Sequence, residues 1–267
     1  MICIFNSACF KSLPKPNYFR NFTQTVKQLT ASAIVIGDEI LNGSTRDSNM
    51  HDLCKTMHNR GVNLTEVRII GDVHEQIKET VLEMSQKTDF VFTSGGIGST
   101  HDDITYESIA SAFGLKTKLH SGTWNNLKKW YDKRKISYDS RAKSMALFPD
   151  PCKLIPIKKL ISPVVNVKNV YIFAGVPSMF RLMLGSTVQY LDLQLQKPWV
   201  QTVSTKKREV EFSHQLEQIQ SNFPQVKIGS YPKWLTEKNS FKVFIRIEAP
   251  DESLGLKVAD LIRQQIL

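Results

Sequence analysis

The chain has 267 residues, 41% hydrophobic and 22% charged, the balance of an ordinary globular protein long enough for one large α/β domain and a smaller appendage. Its formal net charge of +10 attracts polyanions, but Lys11, Lys15, Arg20 and Lys27 supply four of the ten charges and no acidic residue precedes Asp38. With no RNA- or DNA-binding signature beside that charge, nucleic acid is not an expected partner. With no run of about 18 apolar residues, a membrane span is excluded as well.

Residues 1–30 form a basic, acid-free leader that mixes aromatic and hydroxylic side chains. It reads either as a mitochondrial transit peptide or as a disordered extension, since Pro14 and Pro16 interrupt any amphipathic helix. The expected location is the mitochondrial matrix or the cytoplasm. Cys3, Cys9, Cys54 and Cys152 include no CxxC pair, which implies reduced thiols and no zinc site. Cys54 shares an apolar helical face with Met50, Leu53 and Met57 and is expected in the core.

From Ala31 strands and helices alternate: AIVIG, a helix over residues 48–60, LTEVRIIG, a helix over 75–86, FVFT, and a helix over 104–113. This βαβαβα order predicts a mainly parallel sheet with helices on both faces. A basic, aromatic helical region follows over residues 121–144, then a strand pair near 153–157 and 164–167, the strand NVYIFAG, and a helix over 178–195. Trp124, Trp130 and Tyr131 in that region either stack a ligand ring or pack inward beneath solvated lysines. Beyond a boundary near Lys197 and Pro198 the order becomes βαββα, most of a ferredoxin-like split βαβ unit. The expected domains are therefore the leader, residues 31–197, and a small α+β domain over residues 198–267.

The run SGGIGSTHDDIT, residues 94–105, joins a buried strand to a helix. Gly95, Gly96 and Gly98 allow a tight turn whose free amides can face an anion. Ser94, Thr100 and His101 can add donors, and Asp102 and Asp103 can hold a hard divalent cation that bridges to phosphate oxygens. Either half alone has a plain explanation, as a turn or as acidic capping of a helix start. Together they point to nucleotide chemistry, with a phosphate or pyrophosphate held by the glycine loop. Upstream, GDE ends the first strand, so Asp38 and Glu39 either offer acceptors to a metal, a ribose hydroxyl or a heterocyclic amine, or belong to a loop that caps the next helix. Asn49, in the next helix's first turn, either pairs with a heterocycle edge or helps cap the helix. Gly175, before Pro177, ends another strand and either brings a third helix start toward the same carboxyl edge of the sheet, where ligands of such sheets bind, or makes an ordinary αβ turn.

The segment resembles the GGxGPTxDDxT signature of the MoaB/Mog molybdopterin-binding domain family. The stretch from Ala31 through GDEILNG, and NVYIFAGVPSMF downstream, resemble its CinA-like branch. ALFPDPCK and IGSYPKW look closest to the amino-terminal domain of eukaryotic FAD synthase. The resemblance covers about residues 31–267, and it departs at Ser99 and Ala174, where the family pattern has proline; each loss frees a loop dihedral. The resemblance implies a three-layer αβα MoaB/Mog-like domain and a homo-oligomer. It implies a nucleotide pyrophosphatase acting on FAD or ADP-ribose, with catalytic Asp102 and Asp103 holding magnesium, manganese or cobalt and with potassium as an accompanying ion. A non-hydrolytic pterin-binding module and a regulatory domain of FAD metabolism are the alternatives. Because the resemblance puts the synthase domain beyond Leu267, adenylylation of FMN by this chain alone is not expected.

Overall fold

The structure, a computed structural model, describes residues 28–193, 197–235 and 240–267; most of the leader lies outside them. The chain divides into two compact units, Met1–Leu195 and Gln196–Leu267.

In the first unit the order is β1 (Thr30–Ile36), α1 (Asp38–Leu41), α2 (Asn49–Asn59), β2 (Asn63–Ile70), α3 (His74–Lys87), β3 (Phe90–Ser94) and α4 (Thr105–Ala112). It continues with β4 (Lys116–Leu119), α5 (Ser121–Arg134), a 3₁₀ segment (Ser140–Ala146), β5 (Leu147–Asp150), β6 (Lys153–Ile155), β7 (Val164–Val167), β8 (Val170–Phe173) and α6 (Pro177–Leu191). The main sheet runs β2-β1-β3-β8-β7-β6. Its first four strands are parallel, while β7 is antiparallel to both neighbours. The sequence predicts this mainly parallel α/β sheet.

Burial explains the order. β3, β7 and β8 are buried along their whole length, as continuous apolar runs covered on both faces must be. The edge strand β2 alternates half-buried and exposed residues along its carboxyl half and is buried only at Ile70. Helices supply the cover with apolar stripes, Met50, Leu53 and Met57 on α2 and Ile77, Val81 and Met84 on α3. The rings of Phe92 and Phe173 lie 5.7 Å apart at the centre, and Phe180 of α6 meets Phe173 edge-on at 5.3 Å. Cys54, expected in this core, is exposed; Leu53 next to it is fully buried, so the stripe passes beside the thiol.

The expected helical region over residues 121–144 is two elements, α5 and the 3₁₀ segment, framed by an unexpected hairpin of β4 with β5. Its aromatics contact one another: Tyr131 stacks on Tyr138 at 4.9 Å and Trp124 meets Tyr138 edge-on at 5.8 Å.

The second unit holds β9 (Trp199–Thr205), α7 (Ser213–Asn222), β10 (Lys227–Leu235), β11 (Ser240–Ala249) and α8 (Glu252–Ile266). The antiparallel sheet β10-β11-β9 has β11 at its centre, the strand order of a split βαβ unit. The strand expected over residues 201–212 stops at Thr205 and yields to a 3₁₀ turn at Glu209–Glu211. Among the described residues no helix is long and apolar enough to cross a membrane.

Candidate functional site

Sheet register levels the carboxyl ends of four strands. Ile36 pairs with Ile70, Val35 with Ser94, and Ser94 with Phe173. The turns that follow, at Asp72, Asp38, Gly95 and Gly175, therefore leave the sheet along one row.

Asn49 ties two of these turns together. Only 3% exposed, it donates from Nδ2 to Ser94 Oγ at 3.0 Å and to the Gly175 carbonyl at 2.7 Å. Its Oδ1 is buried with no hydrogen-bond partner. Capping of α2 falls to Asp47, which accepts from the Asn49 and Met50 amides. Ser94 is buried and engaged by Asn49, so its hydroxyl serves the scaffold.

The glycine loop is held from both sides. Gly95 has φ 113°, and a Cβ there would lie 2.0 Å from the Ile36 carbonyl oxygen, so only glycine fits. A Cβ on Gly175 would lie 3.3 Å from Gly95 Cα, which records how closely the two loops approach. Thr105 closes the far end: its amide donates to the Gly96 carbonyl and its hydroxyl to the Gly95 carbonyl, both at 3.0 Å.

The two aspartates of the signature have different tasks. The Asp103 carboxylate accepts the Gly98 amide at 2.6 Å, the Thr100 amide at 2.8 Å, and the Thr100 hydroxyl. These bonds commit it to shaping the loop, where the sequence reading makes it a metal ligand beside Asp102. Ser144 braces the same loop, donating to the Gly98 carbonyl at 2.8 Å. Asp102 is exposed; the nearby Thr100 hydroxyl and its own backbone amide, with the charge of His101, hold its carboxyl below the ordinary range. His101 itself is exposed. Among the described residues, the amides of Gly96, Ile97 and Ser99 donate to nothing, so the loop keeps free donors for an anion.

A residue that the sequence reading missed completes the row. Asp72 follows β2 and accepts the Asp38 amide at 2.9 Å through Oδ2. Its Oδ1 lies 3.6 Å from where a Gly96 Cβ would stand, so it lies between the GDE turn and the glycine loop. Burial raises its carboxyl above the usual range, and the negative charges of Asp38, Glu39 and Asp102 raise it further against the opposing Asp38 amide. The signal was present as IIGD at residues 69–72, an echo of VIGD at 35–38. Among the described residues none of these four acids forms an ion pair, and no three His, Cys, Asp or Glu side chains converge closely enough to hold a metal by themselves. Crowded oxygen anions without a counter-cation suit a hard divalent ion shared with a ligand's own oxygens.

The comparisons agree with this architecture. The family described as "Probable molybdopterin binding domain" matches residues 32–193, and "FAD synthase, middle domain" matches residues 197–266. "Probable FAD synthase" of Caenorhabditis briggsae is 31% identical over 253 residues, 86% of this chain and 48% of that protein. Its Caenorhabditis elegans counterpart is 31% identical over 258 residues, 88% and 49% respectively. The chain thus spans about half the length of these relatives. The crystal structure of the protein CinA with unknown function from Thermoplasma acidophilum superposes with a TM-score of 0.54 at 25% identity, covering 61% of this chain and 97% of that one. With 32–193 matched on one side of the division and 197–266 on the other, the chain belongs to the MoaB/Mog molybdopterin-binding domain family, as a CinA-like member related to FAD synthase.

Proposed function

We propose that the first unit binds the pyrophosphate of a dinucleotide, FAD or ADP-ribose, along the row of strand ends and hydrolyses it with the help of a divalent cation. The observation that carries this reading is the juxtaposition, around Asp72, of free loop amides with an unneutralised acid cluster. Amides favour an anion, and carboxylates favour a cation that accompanies it.

In this reading Gly96, Ile97 and Ser99 bind phosphate oxygens, and the start of α6 beside Gly175 adds its positive end. Asp102 and Asp72 would hold the ion, with Asp38 or Glu39 contributing. A divalent cation there supplies Lewis acidity at phosphorus and a more acidic water. Asp72, whose carboxyl is raised by burial and by the neighbouring negative charges, would be the acid placed to accept a proton there. Asp103 shapes the loop. One observation favours binding without turnover: no three acids among the described residues are gathered as ready ligands.

The test is product analysis of the purified chain with FAD and separately with ADP-ribose, with and without magnesium, manganese or cobalt, and with potassium varied. Metal-dependent release of FMN plus AMP, or ribose phosphate plus AMP, lost in Asp102→Ala, is the expected result. Intact nucleotides in every reaction, with saturable binding by calorimetry, would replace hydrolase with binding module.

A further inference from the structure

In the second unit, α7 and α8 cover one face of the sheet, against Val243, Ile245 and Ile247 of β11. The alternation along β11 sends Lys242, Phe244 and Arg246 to the opposite face. There Tyr231 of β10 pairs with Phe244, flanked by Lys233 opposite Lys242 and by Gly229 opposite Arg246. Cross-strand partners share a face, so register gathers two rings and several cations on a surface that neither helix of the unit covers.

The Tyr231 ring is presented for stacking, with the half-buried Phe244 beside it. A Cβ on Gly229 would stand 2.7 Å from Tyr231 Oη and 3.0 Å from Cε2 and Cζ, so the Tyr231 ring lies over that glycine, along the strand. It is nevertheless 52% exposed. Lys233 Nζ sits 5.6 Å from the Phe244 ring centre. Arg246 pairs with Glu248 at 3.9 Å, but among the described residues Lys227, Lys233 and Lys242 form no ion pair. Six residues of strand separate Lys227 from Lys233, about 20 Å at the usual rise.

We propose that this face binds single-stranded RNA, with Tyr231 and Phe244 stacking successive bases and the lysines holding phosphates. Rings lying on an open sheet beside cations are what unpaired bases stack on. A cation row of this length matches linked phosphates better than one free nucleotide, and a peptide would need carboxylates in the same row. Exposed Thr202 and Ser204, opposite Arg246 and Phe244 on β9, offer hydroxyls to the ribose 2′-OH. Sequence reading expects no nucleic acid because these residues alternate along three separate strands and make no linear signature. The proposal is independent of the pyrophosphatase reading.

The experiment is fluorescence anisotropy of labelled oligouridine of about twelve nucleotides with the whole chain near physiological salt. Oligothymidine, duplex RNA, the Tyr231→Ala/Phe244→Ala pair and the ring-preserving Tyr231→Phe/Phe244→Tyr pair are compared. Oligouridine is expected to bind more tightly than oligothymidine or duplex, roughly tenfold to a hundredfold more weakly once the rings are gone, and nearly unchanged with the rings exchanged. If the alanine pair does not fold by circular dichroism, Lys233→Glu/Lys242→Glu reads the same face and is expected to weaken binding at least roughly tenfold. Absence of oligouridine binding, equal binding of oligothymidine, or affinity indifferent to the rings and to the two lysines would overturn the proposal.

Discussion

The division of labour between the paired aspartates can be tested by stability and activity together. Replacing Asp103 with alanine removes the acceptor of the Gly98 amide, the Thr100 amide and the Thr100 hydroxyl. Bonds to a charged acceptor contribute about 1.5–3 kcal/mol each at most. Thr100 is exposed, so water replaces part of what two of them lose, and the sum falls to about 2–3 kcal/mol. In a unit of this size each kcal/mol moves the melting temperature by roughly 2–4 °C, so Asp103→Ala should melt about 5–10 °C below wild type. The Asp102 side chain is exposed and meets only the Thr100 hydroxyl and its own amide. Its alanine variant should stay within about 0.5 kcal/mol of wild type, as surface substitutions do, and yet abolish hydrolysis. Differential scanning calorimetry and the nucleotide assay on both proteins decide the matter. If Asp103→Ala melted like wild type, or Asp102→Ala lost stability, the loop role assigned to Asp103 would be wrong.

Gly95→Ala forces a Cβ to within 2.0 Å of the Ile36 carbonyl oxygen at φ 113°; it should cost more than about 3 kcal/mol and appear as poor soluble yield or a collapsed urea midpoint, whereas Gly175→Ala, whose nearest contact is 3.3 Å, should fold. Asp72 has a folded pKa above its ordinary 3.8, so its ionised form opposes folding at neutral pH, and that cost disappears as pH falls through the folded value toward 3.8. Asp72→Asn should therefore be the more stable protein at pH 7 by urea unfolding, with the gap closing on acidification; a gap that widened would reverse the sign. Gly255→Ala brings a methyl to 2.1 Å from Trp199 Cε3, so β9 and α8 should separate at a cost of about 1–3 kcal/mol, seen as an earlier tryptophan fluorescence transition.

Sequence pattern carried the parts of this protein governed by local physics. Continuous apolar runs such as AIVIG and FVFT betray strands buried on both faces, and stripes such as Met50, Leu53 and Met57 betray helices. The β4–β5 hairpin stayed hidden because KTKL is exposed along its whole length and shows no alternation. Cys54 was misplaced because one position on a helix turns a side chain by about 100°, enough to move it from the stripe edge into solvent. The 3₁₀ turn at Glu209–Glu211 interrupted a run whose Lys-rich middle has no periodicity to mark the end of a strand.

The site was legible where a motif is contiguous and hidden where it depends on register. The glycine loop announces itself in twelve residues and GDEILNG in seven. Asp72 does not, because its importance comes from β2 ending level with β1, which sets its carboxylate under the Asp38 amide. Asn49 likewise joins Ser94 and Gly175, residues 45 and 126 positions away. One buried amide holding two turns means that the glycine loop and the start of α6 are not independent. Asn49→Ala removes two hydrogen bonds, about 1–3 kcal/mol, but also removes a buried oxygen that has no partner, so its net cost to folding should be near 1 kcal/mol. Its cost to ligand binding should be larger, because the free loop amides then lose the register that lines them up with the Gly175 turn. Calorimetric melting beside titration of ADP-ribose separates the two quantities, and a variant that lost several kcal/mol of stability while binding normally would show that Asn49 only supports the core.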